Sequence, residues 1–598
     1  MAPTDFINYP TPIKAAETPY ENPPPSNPTL SGATLSVLSN LVIHVGPVQQ
    51  LLWRNTGFTQ SLLKVESSGV LDNYIPRYDP TVIPVRATSS SASASASTGA
   101  DDIPAPAPRT FHSSADYIAA YKSGATTPTA VAERFLESLD DDISRIFICT
   151  TPREVLLAAA AESTARYAAG TALPLDGVPL VVKDECDVAG TQRTLGLSTR
   201  EANLRKIGHE QQGQTSWCVQ KLLDAGMIFL GKSNMHEIGL DTTNNNPNWG
   251  TPPNPYNPGY YPGGSSGGSG AAVGAGICPI AVGADGGGSI RIPATYCGVF
   301  GLKPTHGRVD TSPTASIAPS VGVVGPIAAT MHDLALAYRI MSTPHPSSPF
   351  PSPSPSSSPS PKVMGIYRPY FDDCDPSVLA LCNAAVNKFQ SLGYKTVDIT
   401  LPLLPESRAS HALTILSEIS QGMGGNSRGL TPANKILISV GTRAPARDFL
   451  IAQKLRSLMM SHLAALWQEY PGMIIVTPTA PHAGVEVHEG SYGKGEAGAS
   501  DNNKSLRTMQ YVFLANWTGC PAISLPVGYE GDSKMPVGLM GMGEWGSEEG
   551  LLEWGREWEN GWDVPAGIQA EGILEQGGRK RGEGWKDMLA TAAATVVA

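Results

Sequence analysis

The amino-acid sequence predicts an α/β protein with a central mixed, largely parallel twisted sheet covered on both faces by helices. The first sign is alternation. Short apolar runs such as Leu175–Val182 and Met227–Leu230 are separated by capped, helix-length segments, the pattern of strand–helix–strand units. The second is composition: hydrophobic residues fill 41% of the 598 positions and charged residues 16%, too apolar for a disordered chain. The third is length. At roughly 100–200 residues per domain the chain has room for three or four domains, or for one large unit with additions.

Taken in order, residues 1–30 are rich in Pro, Asn and Thr and read as poorly ordered. Residues 31–86 carry apolar patches (Leu51, Leu52, Trp53, Phe58) that suit a small appendage packed on the main body. The Ser/Ala alternation of 89–98, followed by Pro104, Pro106 and Pro108, buries nothing and reads as a linker. Residues 1–110 are therefore an N-terminal extension, 111–565 the main domain and 566–598 a C-terminal tail. Within the main domain, Ser113 and Asp116 open a helix that Gly124 stops, and Thr127-Pro128 opens the next. Thr151-Pro152-Arg153-Glu154 reads as a capping box with proline at the first helical position, leading a helix to Gly170. Leu175–Val182 is a strand that delivers Lys183 and Asp184 at its end. A helix over 215–225 leads through Gly226 to the strand 227–230. Pro and Ser fill all but two positions of 344–361, an extended surface insert, because periodic segments continue on both sides.

Charge and cysteine usage remove several classes of function. The net charge is −11 with no sizeable basic cluster, which argues against a nucleic-acid partner. Eight cysteines without a Cys-x-x-Cys pair suit neither a disulfide scaffold nor a zinc site, and no metal or cofactor is expected. The start lacks a basic region followed by an apolar core, and Leu35–Val48 is too short and too interrupted to span a bilayer. The ending Thr-Val-Val-Ala carries no lipidation box. A cytoplasmic protein without membrane association is the expectation, and a homodimer is compatible with it.

The most unusual tract is Pro262-Gly-Gly-Ser-Ser-Gly-Gly-Ser-Gly270, followed by an apolar helix–strand unit and then by Gly283-Ala-Asp-Gly-Gly-Gly-Ser289-Ile-Arg291-Ile-Pro293. Glycine density of this kind permits positive φ and close backbone approach to a ligand. Consecutive N–H groups at Gly286, Gly287, Gly288 and Ser289 can form a nest for an anion. A flexible linker is disfavoured, since both neighbours are apolar segments that need burial. A phosphate cradle is weak, because no Gly-x-x-x-x-Gly-Lys-Ser/Thr is present. Nucleophilic catalysis by serine is the third reading; Gly263-Gly-Ser265-Ser-Gly267 even fits the esterase elbow pattern, which a Gly/Ser tract matches easily.

Several further segments accompany this tract: Gly177-Val-Pro-Leu-Val-Val-Lys183-Asp184, Ser233-Asn-Met-His-Glu-Ile-Gly239, Asn244-Asn-Asn-Pro-Asn-Trp-Gly250, Phe300-Gly-Leu-Lys-Pro-Thr305, Asn516-Trp-Thr-Gly-Cys-Pro-Ala-Ile-Ser-Leu-Pro526 and Pro536-Val-Gly-Leu539. In combination, over 113–556, they resemble the amidase signature enzymes, which include fatty acid amide hydrolases, bacterial amidases and the A subunit of glutamyl-tRNA amidotransferase. The resemblance implies an amidase-signature-like fold. It also implies a hydrolase that takes a small-molecule linear carboxylic amide to acid and amine or ammonia through an acyl-enzyme. By that resemblance Ser289 is the nucleophile and Lys183 the base. Ser265, 24 residues before Ser289 and following a cis bond from Gly264, is the proton relay. Ser266 belongs to the supporting network, and the N–H groups of Gly286, Gly287, Gly288 and Ser289 hold the oxyanion. The chemistry is coherent. A serine hydroxyl needs a base to take its proton, an ammonium cannot do so, and desolvation behind an apolar run disfavours the ammonium.

Asp285 and Arg291 flank the serine loop. We read them as a charge pair that stiffens the turn rather than as an anion site for substrate. Gly286 stands where the family often has a β-branched residue. No histidine is required, and His236 reads as a buried structural residue. Ser61-Leu-Leu-Lys64 matches a penicillin-enzyme motif without its companions and is set aside. A glutamine-dependent amidotransferase subunit, esterase activity on the same scaffold and an inactive binding protein remain as alternatives. The substrate pocket is expected from Tyr256–Tyr261, 406–430 and 480–500.

Overall fold

The computed structural model describes residues 5–22, 27–85, 110–208, 213–353, 361–562 and 579–589. The linker at 89–98 and residues 354–360 of the Pro/Ser insert lie outside them. Eleven strands form one sheet: β1 (Phe147–Thr150), β2 (Pro179–Lys183), β3 (Ile228–Ser233), β4 (Ile280–Asp285), β5 (Phe300–Lys303), β6 (Val323–Ala328), β7 (Val363–Ile366), β8 (Lys395–Asp398), β9 (Ile474–Pro478), β10 (Ala522–Tyr529) and β11 (Pro536–Met542). Their order is β8-β7-β9-β11-β10-β5-β6-β4-β2-β3-β1.

The sheet is mixed, as the sequence predicts, but parallel pairing is confined to its wings. β2 runs parallel to β3 and β4, and β7 parallel to β8 and β9. The central run from β9 through β11, β10, β5 and β6 to β4 is antiparallel throughout. Strand direction there depends on segments more than 200 residues apart in sequence, which local alternation does not encode.

Helices cover both faces, and the central strands are buried on both. Along β2, Val181 packs into the cluster formed with Ala271 and Ala272 of helix Gly267–Gly274. Leu180 and Val182 pack oppositely, with Met331 and Leu334 of helix Met331–Met341. The two-residue period of a strand therefore sends Lys183 to the side of Val181, toward the glycine-serine tract.

Helix Ser114–Ser123 has the Ser113/Asp116 capping box and ends at Gly124 in the left-handed region. The second proposed box is different. Pro152 itself caps helix Arg153–Ala169, and the Thr151 hydroxyl donates to the Phe229 carbonyl on β3 at 2.7 Å. A tertiary partner has taken the side chain from the helix end.

The N-terminal segment is held more firmly than its composition suggests. Tyr9 donates to Glu544 and Tyr20 to Asp373, each at 2.7 Å, and the Ile13 N–H donates to the Ser461 carbonyl. Trp53, Phe58 and Leu62 are buried in the same cluster as helices Leu404–Gly422 and Ala446–Glu469. At the other end, Arg579 is buried, donates to the Gly298 carbonyl and lies over the rings of Phe111 and Phe300. Among the described residues no single helix is long and apolar enough to cross a membrane. Helices Gly32–His44 and Gly46–Asn55, bent by 111°, pass on length and composition only as a pair.

Candidate active site

Lys183 emerges from β2 almost fully buried, with 1% of its side chain exposed. Three acceptors surround its amine. Nζ lies 2.9 Å from Ser265 Oγ, 3.0 Å from the Ala284 carbonyl and 2.9 Å from Glu185 Oε2. Glu185, two residues on, is 17% exposed and faces the amine from the turn that follows the strand.

The Gly264–Ser265 peptide bond is cis. The Gly264 N–H donates to the Thr242 carbonyl at 2.6 Å, and the Ser265 carbonyl accepts from the His236 N–H at 3.1 Å. The Ser266 hydroxyl donates to the Ala284 carbonyl and accepts from the Ala284 N–H, tying this loop to the end of β4. Helix Gly267–Gly274 begins at once and is buried along its whole length, pressed against β3 and β4. A side chain at Gly268 would put its Cβ 2.5 Å from the Asn234 carbonyl, so close packing requires glycine there.

The second loop connects β4 to helix Arg291–Tyr296. Asp285 and Arg291, both fully buried, pair through Nε–Oδ2 at 3.0 Å and Nη2–Oδ1 at 3.1 Å. Burial alone would raise the Asp285 carboxyl, but the Arg291 guanidinium and the Ile290 N–H hold it well below the usual carboxylate range. Arg291 also donates to Asn516 Oδ1 at 2.6 Å, while Asn516 Nδ2 donates to the Asp285 and Val321 carbonyls. With no exposed surface and its donors engaged, Arg291 has nothing to offer an anionic ligand.

One correction concerns the anion nest. The Gly288 N–H donates to Asp285 Oδ1 at 2.6 Å, and Gly288 has a φ of +109° that favours glycine. It is therefore removed from the set of donors facing a ligand. The N–H groups of Gly286, Gly287 and Ser289 have no protein acceptor among the described residues. Ser289 is 9% exposed, and its carbonyl accepts the Ser266 N–H at 3.2 Å, which clamps the two serine loops together.

Sequence reasoning assigns no role to three contributors to the site. Asn516 opens a segment that the family resemblance singles out, whereas His411 comes from a distant segment with no local signal. His411, on helix Leu404–Gly422, has Nε2 2.8 Å from the Gly286 carbonyl and is pushed down to about 4 by burial, so its neutral ring donates there. Glu185 carried a signal in its spacing from Lys183. His236 is buried, and burial followed by the Lys183 charge pushes it down to about 3, as suits a structural residue. In the segments expected to form the pocket, Tyr256 donates to the Lys580 carbonyl and Tyr261 bonds Ser491, itself within 480–500. A cavity of about 490 Å³ is lined by Arg408, within 406–430, together with Asp373, Lys504, Arg507 and Asn22. No cluster of three or more His, Cys, Asp or Glu able to hold a metal ion occurs among the described residues.

Comparison with known proteins finds relatives in both sequence and fold. The family model described as Amidase matches residues 131–552. A fatty acid amide hydrolase of Medicago truncatula is 32% identical over 465 residues, covering 73% of this chain and 74% of that protein. The A subunit of the glutamyl-tRNA(Gln) amidotransferase of Methylococcus capsulatus is 30% identical over 475 residues, covering 72% and 93%. The solved structure of 6-aminohexanoate cyclic dimer hydrolase complexed with substrate superposes with a TM-score of 0.63 at 25% identity, over 75% of this chain and 96% of that one.

Proposed function

The chain belongs to the amidase family, and from that premise we propose that it hydrolyses a carboxylic amide through an acyl-enzyme on Ser289, with Ser265 as relay and Lys183 as base. The observation that carries this reading is the 2.9 Å contact between Lys183 Nζ and Ser265 Oγ, buried beside the Ser289 loop.

In the forward step Ser265 passes its proton to the Lys183 amine and takes the proton of Ser289. The Ser289 oxygen then bonds to the amide carbon. The carbonyl oxygen becomes an oxyanion facing the N–H groups of Gly286, Gly287 and Ser289, and one such donor is typically worth about 2.7–4 kcal/mol. The proton returns from Lys183 through Ser265 to the departing nitrogen, the C–N bond breaks, and water repeats the sequence on the acyl-enzyme. Asp285, Arg291, Asn516 and Ser266 keep both loops in register.

Labelling with a serine-reactive fluorophosphonate tests this without knowledge of the substrate. Ser289→Ala is expected to abolish both labelling and amide turnover. Labelling retained at Ser265 overturns the assignment of roles. For the wild type, kcat/KM is expected to rise toward alkaline pH as the base loses its proton, and a profile flat from about pH 5 to 9 counts against a lysine base. A panel of aliphatic, aryl and long-chain linear amides, with the matching esters, defines the substrate.

A second reading, a glutamine-dependent amidotransferase subunit, draws on the likeness over 93% of the Methylococcus capsulatus protein. It uses the same serines and passes ammonia to a partner. Glutaminase activity that appears only with a co-eluting partner chain favours it.

A further inference from the structure

The relay through Ser265 makes no use of the carboxylate that touches its base. We propose that Glu185 is the positioning residue of Lys183: it accepts one amine N–H so that the lone pair faces Ser265, and it stabilises the ammonium that forms when Ser289 attacks. This rests on Lys183 being the base.

The valence of nitrogen sets the orientation. The Lys183 amine has three neighbours at bonding distance, namely Ser265 Oγ, the Ala284 carbonyl and Glu185 Oε2. A neutral amine has two N–H bonds and one lone pair. The Ala284 carbonyl can only accept, and an ionised Glu185 can only accept, so these two take the N–H bonds. The lone pair is left for Ser265, the one neighbour with a proton to give. Without Glu185 the amine could turn a hydrogen toward Ser265 instead, and the relay would stall.

Charge acts in the same direction. When the Ser289 proton reaches Lys183, one O–H bond has broken and one N–H bond has formed, and a positive charge appears at a site 1% exposed. A buried, unpaired ammonium is strongly destabilised, whereas a carboxylate 2.9 Å away offsets the cost. That offset is realised fully only once the proton has moved. It therefore lowers the barrier.

The other charged groups near this amine are occupied. Asp184 pairs with Lys232 at 3.1 Å with both side chains fully buried. Asp285 pairs with Arg291, His236 is neutral above about pH 3, and burial pushes the Cys186 thiol up to about 12. Among the described residues Glu185 alone meets Lys183 directly as a carboxylate.

The test is the pH profile of fluorophosphonate labelling in Glu185→Gln. Removing an opposite charge in contact is expected to move the rising limb to lower pH by about 1–3 units. The weaker base is expected to lower the alkaline plateau about tenfold. Glu185→Asp keeps the charge but withdraws it by one methylene, and is expected to shift the limb the same way by less; it also serves if the glutamine variant folds poorly. A limb that coincides with wild type in both variants, or moves to higher pH, overturns the proposal. Undiminished labelling of Lys183→Ala would instead remove the base assignment beneath it.

Discussion

Two acid–base pairs touch the two serine loops, and they are built differently. Asp285–Arg291 is saturated: the carboxylate takes two guanidinium bonds and the N–H groups of Gly288 and Ile290, and the guanidinium goes on to Asn516. Lys183–Glu185 is open, with an amine against a hydroxyl on one side and a partly exposed carboxylate on the other. A saturated buried pair has no proton to exchange and fixes geometry. An open pair can gain or lose a proton without leaving an orphaned charge, and that is what a base needs.

Breaking each pair separates the roles, and the effect on rate is the largest expected. Lys183→Ala is predicted to reduce labelling and turnover by several orders of magnitude with the melting temperature nearly unchanged, because Glu185 can turn to water. Arg291→Ala is predicted to be inactive for another reason. It strands the Asp285 carboxylate in the interior, at a cost of about 3–5 kcal/mol. For a chain of this size that corresponds to a fall in Tm of about 2–5 °C. Calorimetry and labelling on both variants check the contrast, and equal thermal losses would erase it.

What the sequence revealed of these pairs follows from distance along the chain. The serine tract and Arg291 sit in one compact local pattern, whereas Lys183 lies 82 residues before Ser265 and joins them only through the family resemblance. Local chemistry also misled: three successive glycines suggested three equivalent donors, yet Asp285 captures the Gly288 N–H three residues on, as short carboxylate side chains often do. Glu185 was within reach, but only the turn after β2 shows it facing the amine. His411 and Asn516 arrive from more than 100 residues away, and no periodicity points to them.

His411 sharpens the comparison at the donor end of the site. Its ring holds the Gly286 carbonyl, and a side chain on Gly287 would put its Cβ 3.0 Å from the same ring, so His411 limits how far the Gly286–Ser289 turn can move. His411→Ala leaves that carbonyl unpaired. It is predicted to lower kcat by about 100-fold, the scale of a 1 Å misplacement, with KM little changed. His411→Gln, which can still donate, is predicted to recover part of the loss. Equal activity in the two variants would mean that the ring only fills space.

The smallest expected effect concerns a third cation, one with no carboxylate in contact among the described residues. Lys303, at the end of β5, is fully buried and donates to the Pro304 carbonyl at 2.8 Å. Burial, then the charge of Arg291, pushes it down to about 7 from its ordinary 10.5. The unfolded chain thus holds a proton on this lysine between about pH 7 and 10.5 that the folded chain has released. Stability from this group therefore rises with pH across that window, and its cost is greatest below pH 7. Lys303→Met removes the cost, so the variant is predicted to melt a few degrees higher near pH 6.5, with the gain fading toward pH 10. A gain independent of pH would mean that the lysine stays charged in the folded protein. Lys303 would then belong with Arg291 among the fixed charges.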